Sequence, residues 1–277
     1  MAQAGDIPTP AGACDCHSHV YGPFDRFPLP EGAHAPAGGS FAAYVAMLDR
    51  LGVDRAVIVQ PSAYRTDNAC TLAAMAVLGP DRARGIAVVD PDMANAELRR
   101  LDGLGMRGAR FHDTLAGLMA MGDLERFSAR VAPLGWHVQV QGNGTRLPDW
   151  EAMLGRLPSD FVVDHVGLVP HGQGADHPAF RALLRLVEGG RCWVKLSAIY
   201  YGRDPDGGWR DMEARVKALV AARPDRMVWG VNWPHPSLPD DARPDDRELL
   251  QRFLAWLPDE TTRHAVLAGN AARLYRF

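Results

Sequence analysis

His137-Val138-Gln139-Val140-Gln141-Gly142-Asn143 alternates polar and apolar residues along its first five positions. A strand repeats every two residues, so His137, Gln139, Gln141 and Asn143 share one face, and Val138 and Val140 share the other. Gly108–Asp113 shows the same pattern, with Arg110 and His112 on one face and Ala109 and Phe111 on the other. Strands of an open parallel sheet have helices on both faces and read as continuous apolar runs. In a closed barrel, the outer face packs under helices while the inner face can carry polar groups toward the mouth. The alternation therefore selects a barrel.

Outward from this stretch, further β-rich runs occur at Ala13–Val20, Arg55–Pro61, Arg84–Asp90, Met106–Asp113, Phe161–Gly167, Cys192–Ala198 and Met227–Trp233. Amphipathic segments lie between them, at Phe41–Leu51, Asn68–Leu78, Ala94–Leu104, Leu124–Leu134, Pro178–Glu188 and Asp211–Ala222. Their apolar residues recur at three and four, the helical spacing. Strands alternating with helices predict βαβ units and a parallel sheet. No G-x-G-x-x-G turn follows an early strand, so the dinucleotide-binding open sheet lacks its main signal. The chain of 277 residues suits one α/β domain, a (β/α)8 barrel spanning residues 1–277. Two segments rich in Pro or lacking periodicity, Gly22–Ser40 and Pro234–Asp246, are expected to shape the barrel mouth.

The formal charge of −3 sets up no strong field for nucleic acid or acidic membranes. No apolar run is long enough for a membrane helix. Met1–Ala11 lacks the basic cluster and apolar run of a secretory signal, so a cytoplasmic location is expected. Cys14, Cys16, Cys70 and Cys192 are too few and too scattered for a disulfide framework. Cys14 and Cys16 have no second pair at zinc-site spacing and read as small core residues. The oligomeric state is left open.

Three motifs carry the chemistry. Asp15-Cys16-His17-Ser18-His19 ends the first strand, and a period of two puts Asp15, His17 and His19 on one face. Asp164-His165 ends the sixth strand, and Gly230-Val231-Asn232-Trp233-Pro234-His235-Pro236 ends the eighth. A barrel keeps its active site at the C-terminal ends of its strands, where all three motifs lie.

With Val59-Gln60-Pro61, Asp67-Asn68, Gly105–Arg110, Leu134–Val138 and Trp193-Val194-Lys195, these motifs give a chain that resembles the amidohydrolase-related group. That group includes 2-pyrone-4,6-dicarboxylate lactonases, fuconolactonase-like enzymes and galactarolactone isomerases. The resemblance covers nearly the whole chain and implies a distorted (β/α)8 barrel acting on small lactones. In hydrolytic members it implies an aspartate, the general base, where this chain has Asn232. An amide cannot serve as that base. The galactarolactone isomerase branch also carries Asn there, and is implied to be metal-independent. It further resembles this chain at Gly142-Asn143-Gly144 and Trp256–Glu260, but its first-strand histidine pair is incomplete, whereas His17 and His19 are both present here.

The expected function is acyl transfer at the ester of a small carboxylated lactone, sugar-acid or pyrone-type, by hydrolysis or by ring-to-ring isomerisation. No cofactor is required by this reading. A single Zn2+ on His17, His19 and His165 is the alternative, and would mark a zinc-dependent amidohydrolase or decarboxylase. A binding protein without turnover is a third reading. His17, His19 and His165 are expected to supply neutral imidazole, Arg110 to clamp a carboxylate or oxyanion, and Asn232 to orient the substrate. Gln60, His112, Gln141, Asn143, Lys195 and Ser197 are expected to bind substrate from the strands, and Tyr64, Arg65, Tyr200 and Arg203 from the loops. Asp15 and Asp164 are expected to orient their neighbouring histidines.

Overall fold

The computed structural model describes residues 5–113 and 120–277. Eight parallel strands follow one another around a single sheet in chain order. They are β1 (Cys14–Ser18), β2 (Arg55–Val59), β3 (Ala83–Ala87), β4 (Met106–His112), β5 (His137–Gln141), β6 (Phe161–Val163), β7 (Cys192–Ser197) and β8 (Met227–Gly230). The helices between them are α1 (Phe41–Leu51), α2 (Ala69–Leu78), α3 (Asn95–Gly103), α4 (Leu124–Val131), α5 (Leu147–Leu154), α6 (Pro178–Glu188) and α7 (Arg210–Ala222). After β8 come α8 (Asp246–Trp256), α9 (Glu260–His264) and α10 (Asn270–Tyr275). This is the (β/α)8 barrel expected from the alternation in β5.

The barrel closes where β1 meets the chain leaving β8. The Asn232 amide donates to the His17 carbonyl (2.8 Å), and the His19 amide donates to the Trp233 carbonyl (2.8 Å). Gly230 permits this approach, because a Cβ there would stand 2.8 Å from the His17 nitrogen.

Buried apolar residues form two separate clusters, as a barrel requires. Outward residues such as Ala109, Phe111, Val138, Val140 and Leu196 pack under the helices, with Phe127 of α4 and Leu183 of α6 among their neighbours. Inward residues Cys14, Cys16, Val57, Ile86, Val162, Trp193 and Val228 make an apolar floor, closed from below by Leu274 and Tyr275 of α10. Arg84 fixes this plug by donating to the carbonyls of Tyr275 (3.2 Å) and Arg276 (2.6 Å). All four cysteines are buried and unpaired. Among the described residues no helix is long and apolar enough to cross a membrane.

One expectation about faces is corrected. β1 is irregular between Asp15 and Ser18, and this bulge breaks its period of two. Asp15 therefore lies against α1, accepting from Tyr44 Oη (2.9 Å) and from the amides of His17 (3.1 Å) and Val231 (2.8 Å). It seams β1 to the end of β8 and does not join the histidine side chains inside.

Candidate active site

A buried polar layer sits directly on the apolar floor. Asp164, 1% exposed, is its centre. Gln139 Nε2 donates to Asp164 Oδ2 (2.9 Å), and Arg110 Nε stands 3.4 Å from the same oxygen. Asp164 Oδ1 lies 3.4 Å from His17 Nδ1 and 3.8 Å from Lys195 Nζ. Lys195 Nζ also donates to Gln139 Oε1 (2.6 Å). Burial alone would raise the Asp164 carboxyl, but the neighbouring His17 ring and the Lys195 ammonium hold it well below the usual carboxylate range. Burial brings Lys195 down to about 8 despite the opposing pull of Asp164.

Above this layer the imidazoles meet. The His17 and His19 Nε2 atoms are 3.3 Å apart, and the His17 and His165 ring centres are 4.5 Å apart. His19 Nδ1 donates to the Val59 carbonyl (2.9 Å), which leaves its Nε2 as an acceptor. His165 Nδ1 pairs with Ser197 Oγ (2.9 Å), leaving Nε2 for the cleft. Burial drives His17 well below its ordinary value and brings His19 and His165 to about 3, with the Arg110 charge adding to both of the latter. All three are neutral at pH 7. His165 and Val166 both have φ of 53°, a conformation rare for non-glycine and rarer still for β-branched residues. The backbone after β6 is thus strained where it aims His165, as functional sites often are.

These groups open into a cleft of about 450 Å³ at the C-terminal ends of the strands. Its polar walls are His19, Arg110, His112, Gln141, His165 and Asn232, joined by Tyr21, Ser62, Tyr201 and Ser237. His34 and Pro36 from the first long loop and Pro236 from the second complete the rim, so both loops do shape the mouth. Arg110 donates to Gln141 Oε1, which fixes the guanidinium at the cleft wall. Among the described lining residues Arg110 carries the permanent charge, and no Asp, Glu or Lys faces the cleft.

A match to the Amidohydrolase family model runs over residues 14–277. The chain belongs to the amidohydrolase family. It is similar to D-galactarolactone isomerase of Agrobacterium fabrum, 34% identical over 280 residues that cover 99% of this chain and 95% of the relative. It is equally similar to the 2-pyrone-4,6-dicarboxylate hydrolase of Comamonas testosteroni, 34% identical over 278 residues, covering 96% of this chain and 90% of that one. An apo crystal structure of an Agrobacterium tumefaciens protein superposes with a TM-score of 0.87 at 32% identity, covering 98% of this chain and 97% of that one.

Against this amidohydrolase frame the expected site residues divide. The structure brings His19, His165, Arg110, His112, Gln141 and Asn232 together at one rim, with His17 buried against His19 and His165 and with Lys195 and Ser197 beneath and behind them. The other residues expected to bind substrate do not line the cleft, and each has a local task. Gln60 Nε2 donates to the carbonyls of Arg65 (3.2 Å) and Asp67 (2.7 Å), and its Oε1 accepts from Thr71 (2.6 Å). Tyr64 Oη donates to the Phe27 carbonyl (3.0 Å) and accepts from the Gly22 amide (2.9 Å), pinning the first long loop. Arg65 is exposed and contributes its carbonyl to Gln60. Asn143 lies beyond the end of β5 and caps the following turn through the Thr145 amide (3.1 Å). Arg203 lies over Trp209. Tyr200 touches Asn232 rather than the cleft, its Oη accepting from Asn232 Nδ2 (2.7 Å). Tyr201, one residue on, faces the cleft instead; a loop tyrosine pair offers no sequence signal for which ring points inward.

The donor set also fits a cation. Ligating atoms of His17, Asp164 and His165 lie within 4.8 Å of one another, so Asp164 joins the group where the sequence suggested His19. The 3.3 Å between the His17 and His19 Nε2 atoms is close to the ligand–ligand distance that zinc–nitrogen bonds of about 2.0–2.1 Å give in a tetrahedron.

Proposed function

We propose that this cleft performs acyl transfer on a lactone bearing one free carboxylate, converting one ring ester into another. The observation that carries this reading is the charge and composition of the cleft wall. A single guanidinium, Arg110, stands among hydroxyls, amides and neutral imidazoles. One cation complements one carboxylate, and the surrounding donors and acceptors suit a hydroxylated ring. A flat dicarboxylate would leave its second charge without a partner.

Ring-to-ring conversion begins when a hydroxyl of the substrate attacks its own ester carbonyl. The tetrahedral oxyanion collapses by breaking the old ring C–O bond, and the departing alkoxide takes up the proton lost by the attacking hydroxyl. Attack within one molecule gains a large effective molarity, so it asks less of a base than attack by water. Asn232 suits that reaction, since its amide can orient a hydroxyl but cannot deprotonate water. His165 Nε2 carries the proton between the two oxygens. The substrate carboxylate cancels the Arg110 charge, one of the effects depressing His165, and so makes that imidazole a better base once substrate is bound. Arg110 binds and orients that carboxylate, and His112 donates a hydrogen bond to the oxyanion.

A zinc ion would be held by His17, with His19 or with Asp164 and His165, and would polarise the ester carbonyl. The test is proton NMR of the purified protein with a galactarolactone and with 2-pyrone-4,6-dicarboxylate, alongside metal analysis. The expected result is a new lactone from the first and little change in the second. Rapid opening of the pyrone with about one zinc per chain would support the hydrolytic, metal-dependent reading instead.

A further inference from the structure

The N-terminal ends of the strands, opposite the cleft, hold a second groove of about 430 Å³. Its walls come from the starts of β5 and β7, the turns before β6 and β8, and α10. Arg226, Arg273 and Arg276 converge there, with the guanidiniums of Arg226 and Arg273 at 4.8 and 4.9 Å from the Trp193 ring.

The local charges do not balance. Arg223 holds Asp225 through two bonds of 2.8 Å. Arg107 (3.0 Å) and Arg276 (2.8 Å) share Asp102. Arg226 reaches Asp160 and Asp225 only at 3.8 and 3.7 Å, and Arg273 donates to the Asp225 carbonyl rather than to a carboxylate. Three guanidiniums and two carboxylates line the groove, and with the flanking Arg107, Arg223 and Asp102 five guanidiniums meet three carboxylates. Two buried side chains keep nitrogens without a hydrogen-bond partner among the described residues: Arg226 at Nε, and His137, 1% exposed, which lines the groove with neither ring nitrogen bonded. Buried polar groups of this kind are costly unless something satisfies them.

We infer that this groove is a second binding site, for a small dianion with oxygen acceptors, a phosphate or a dicarboxylate. Planar guanidinium forks match both, and an excess of two positive charges matches two negative ones. The occupant would bridge the base of β5–β8 to α10, the helix that plugs the barrel. The inference does not depend on lactone turnover in the cleft.

Calorimetric titration of the full chain with inorganic phosphate and, separately, succinate tests it, in the wild type and in Arg110→Ala, which removes the cleft's own cation. Saturable binding of either anion should persist in Arg110→Ala, and whichever anion binds identifies the source. Arg226→Gln with Arg273→Gln should weaken that binding at least about tenfold. Arg273→Gln alone, at an exposed position on α10, serves if the double variant does not fold. Binding that vanishes in Arg110→Ala, survives both groove variants, or is missing for both anions would overturn the inference.

Discussion

Arg110 brings one positive charge to a cleft otherwise walled by neutral groups, and it rests on the buried Asp164 carboxylate. Its removal should strip the carboxylate clamp: Arg110→Ala is expected to lower turnover at least about a hundredfold, as is His165→Ala, with the barrel intact by circular dichroism. Unchanged turnover in both variants would remove the site. Asn232 has φ of 69°, a region that Asp also tolerates, so Asn232→Asp should fold normally. It restores a carboxylate at the reacting centre, and a rise in hydrolytic turnover or in zinc uptake is expected, read by lactone titration and metal analysis. Arg110, His112 and Gln141 were legible because they follow the period of their strands, and His17, His19, His165 and Asn232 because they stand at or just past strand ends. Gln60 and Tyr64 were not legible as scaffold, because what decides their role is a backbone carbonyl in a loop whose path no periodicity encodes. Asp164 was read as an orienting group, but its central place comes from four partners on four different strands or strand ends, which only the closed barrel assembles.

At the scale of elements, positions of strands follow from alternation, while the local irregularities decide where side chains point. The bulge in β1 turns Asp15 toward α1, and no feature of Asp15–His19 announces it. The turn after β6 is a second case. Gly144, just before α5, packs against it so tightly that a Cβ would stand 2.3 Å from the Leu168 carbonyl oxygen and 2.4 Å from that of Gly167. Both obstacles are backbone, so neither can swing aside. Gly144→Ala should therefore push the strained His165–Leu168 turn and cost about 1–3 kcal/mol of stability by overpacking. Because His165 belongs to that turn, turnover should fall more steeply than the fraction folded, measured by kinetics beside urea unfolding. Wild-type activity in Gly144→Ala would show that the turn does not set the histidine.

At the scale of the molecule, the barrel has two ends with different tasks. The upper end carries the strained turns, the neutral imidazoles and the cleft; the lower end is sealed by α10, with Tyr275 fully buried beneath Lys195, 6.0 Å from its ammonium. Tyr275→Ala should cost about 3–5 kcal/mol, the usual loss for a large buried aromatic, read as a lower urea midpoint. The plug was invisible in the sequence, since a short C-terminal helix has no strand to follow it and no period long enough to read. The central claim concerns the upper end: a substrate hydroxyl, not water, attacks the ester. Turnover of a galactarolactone in H2(18)O, followed by mass spectrometry of the product, separates the two. Intramolecular attack leaves the product lactone without label, whereas one (18)O in a newly formed carboxylate at every turnover would contradict it.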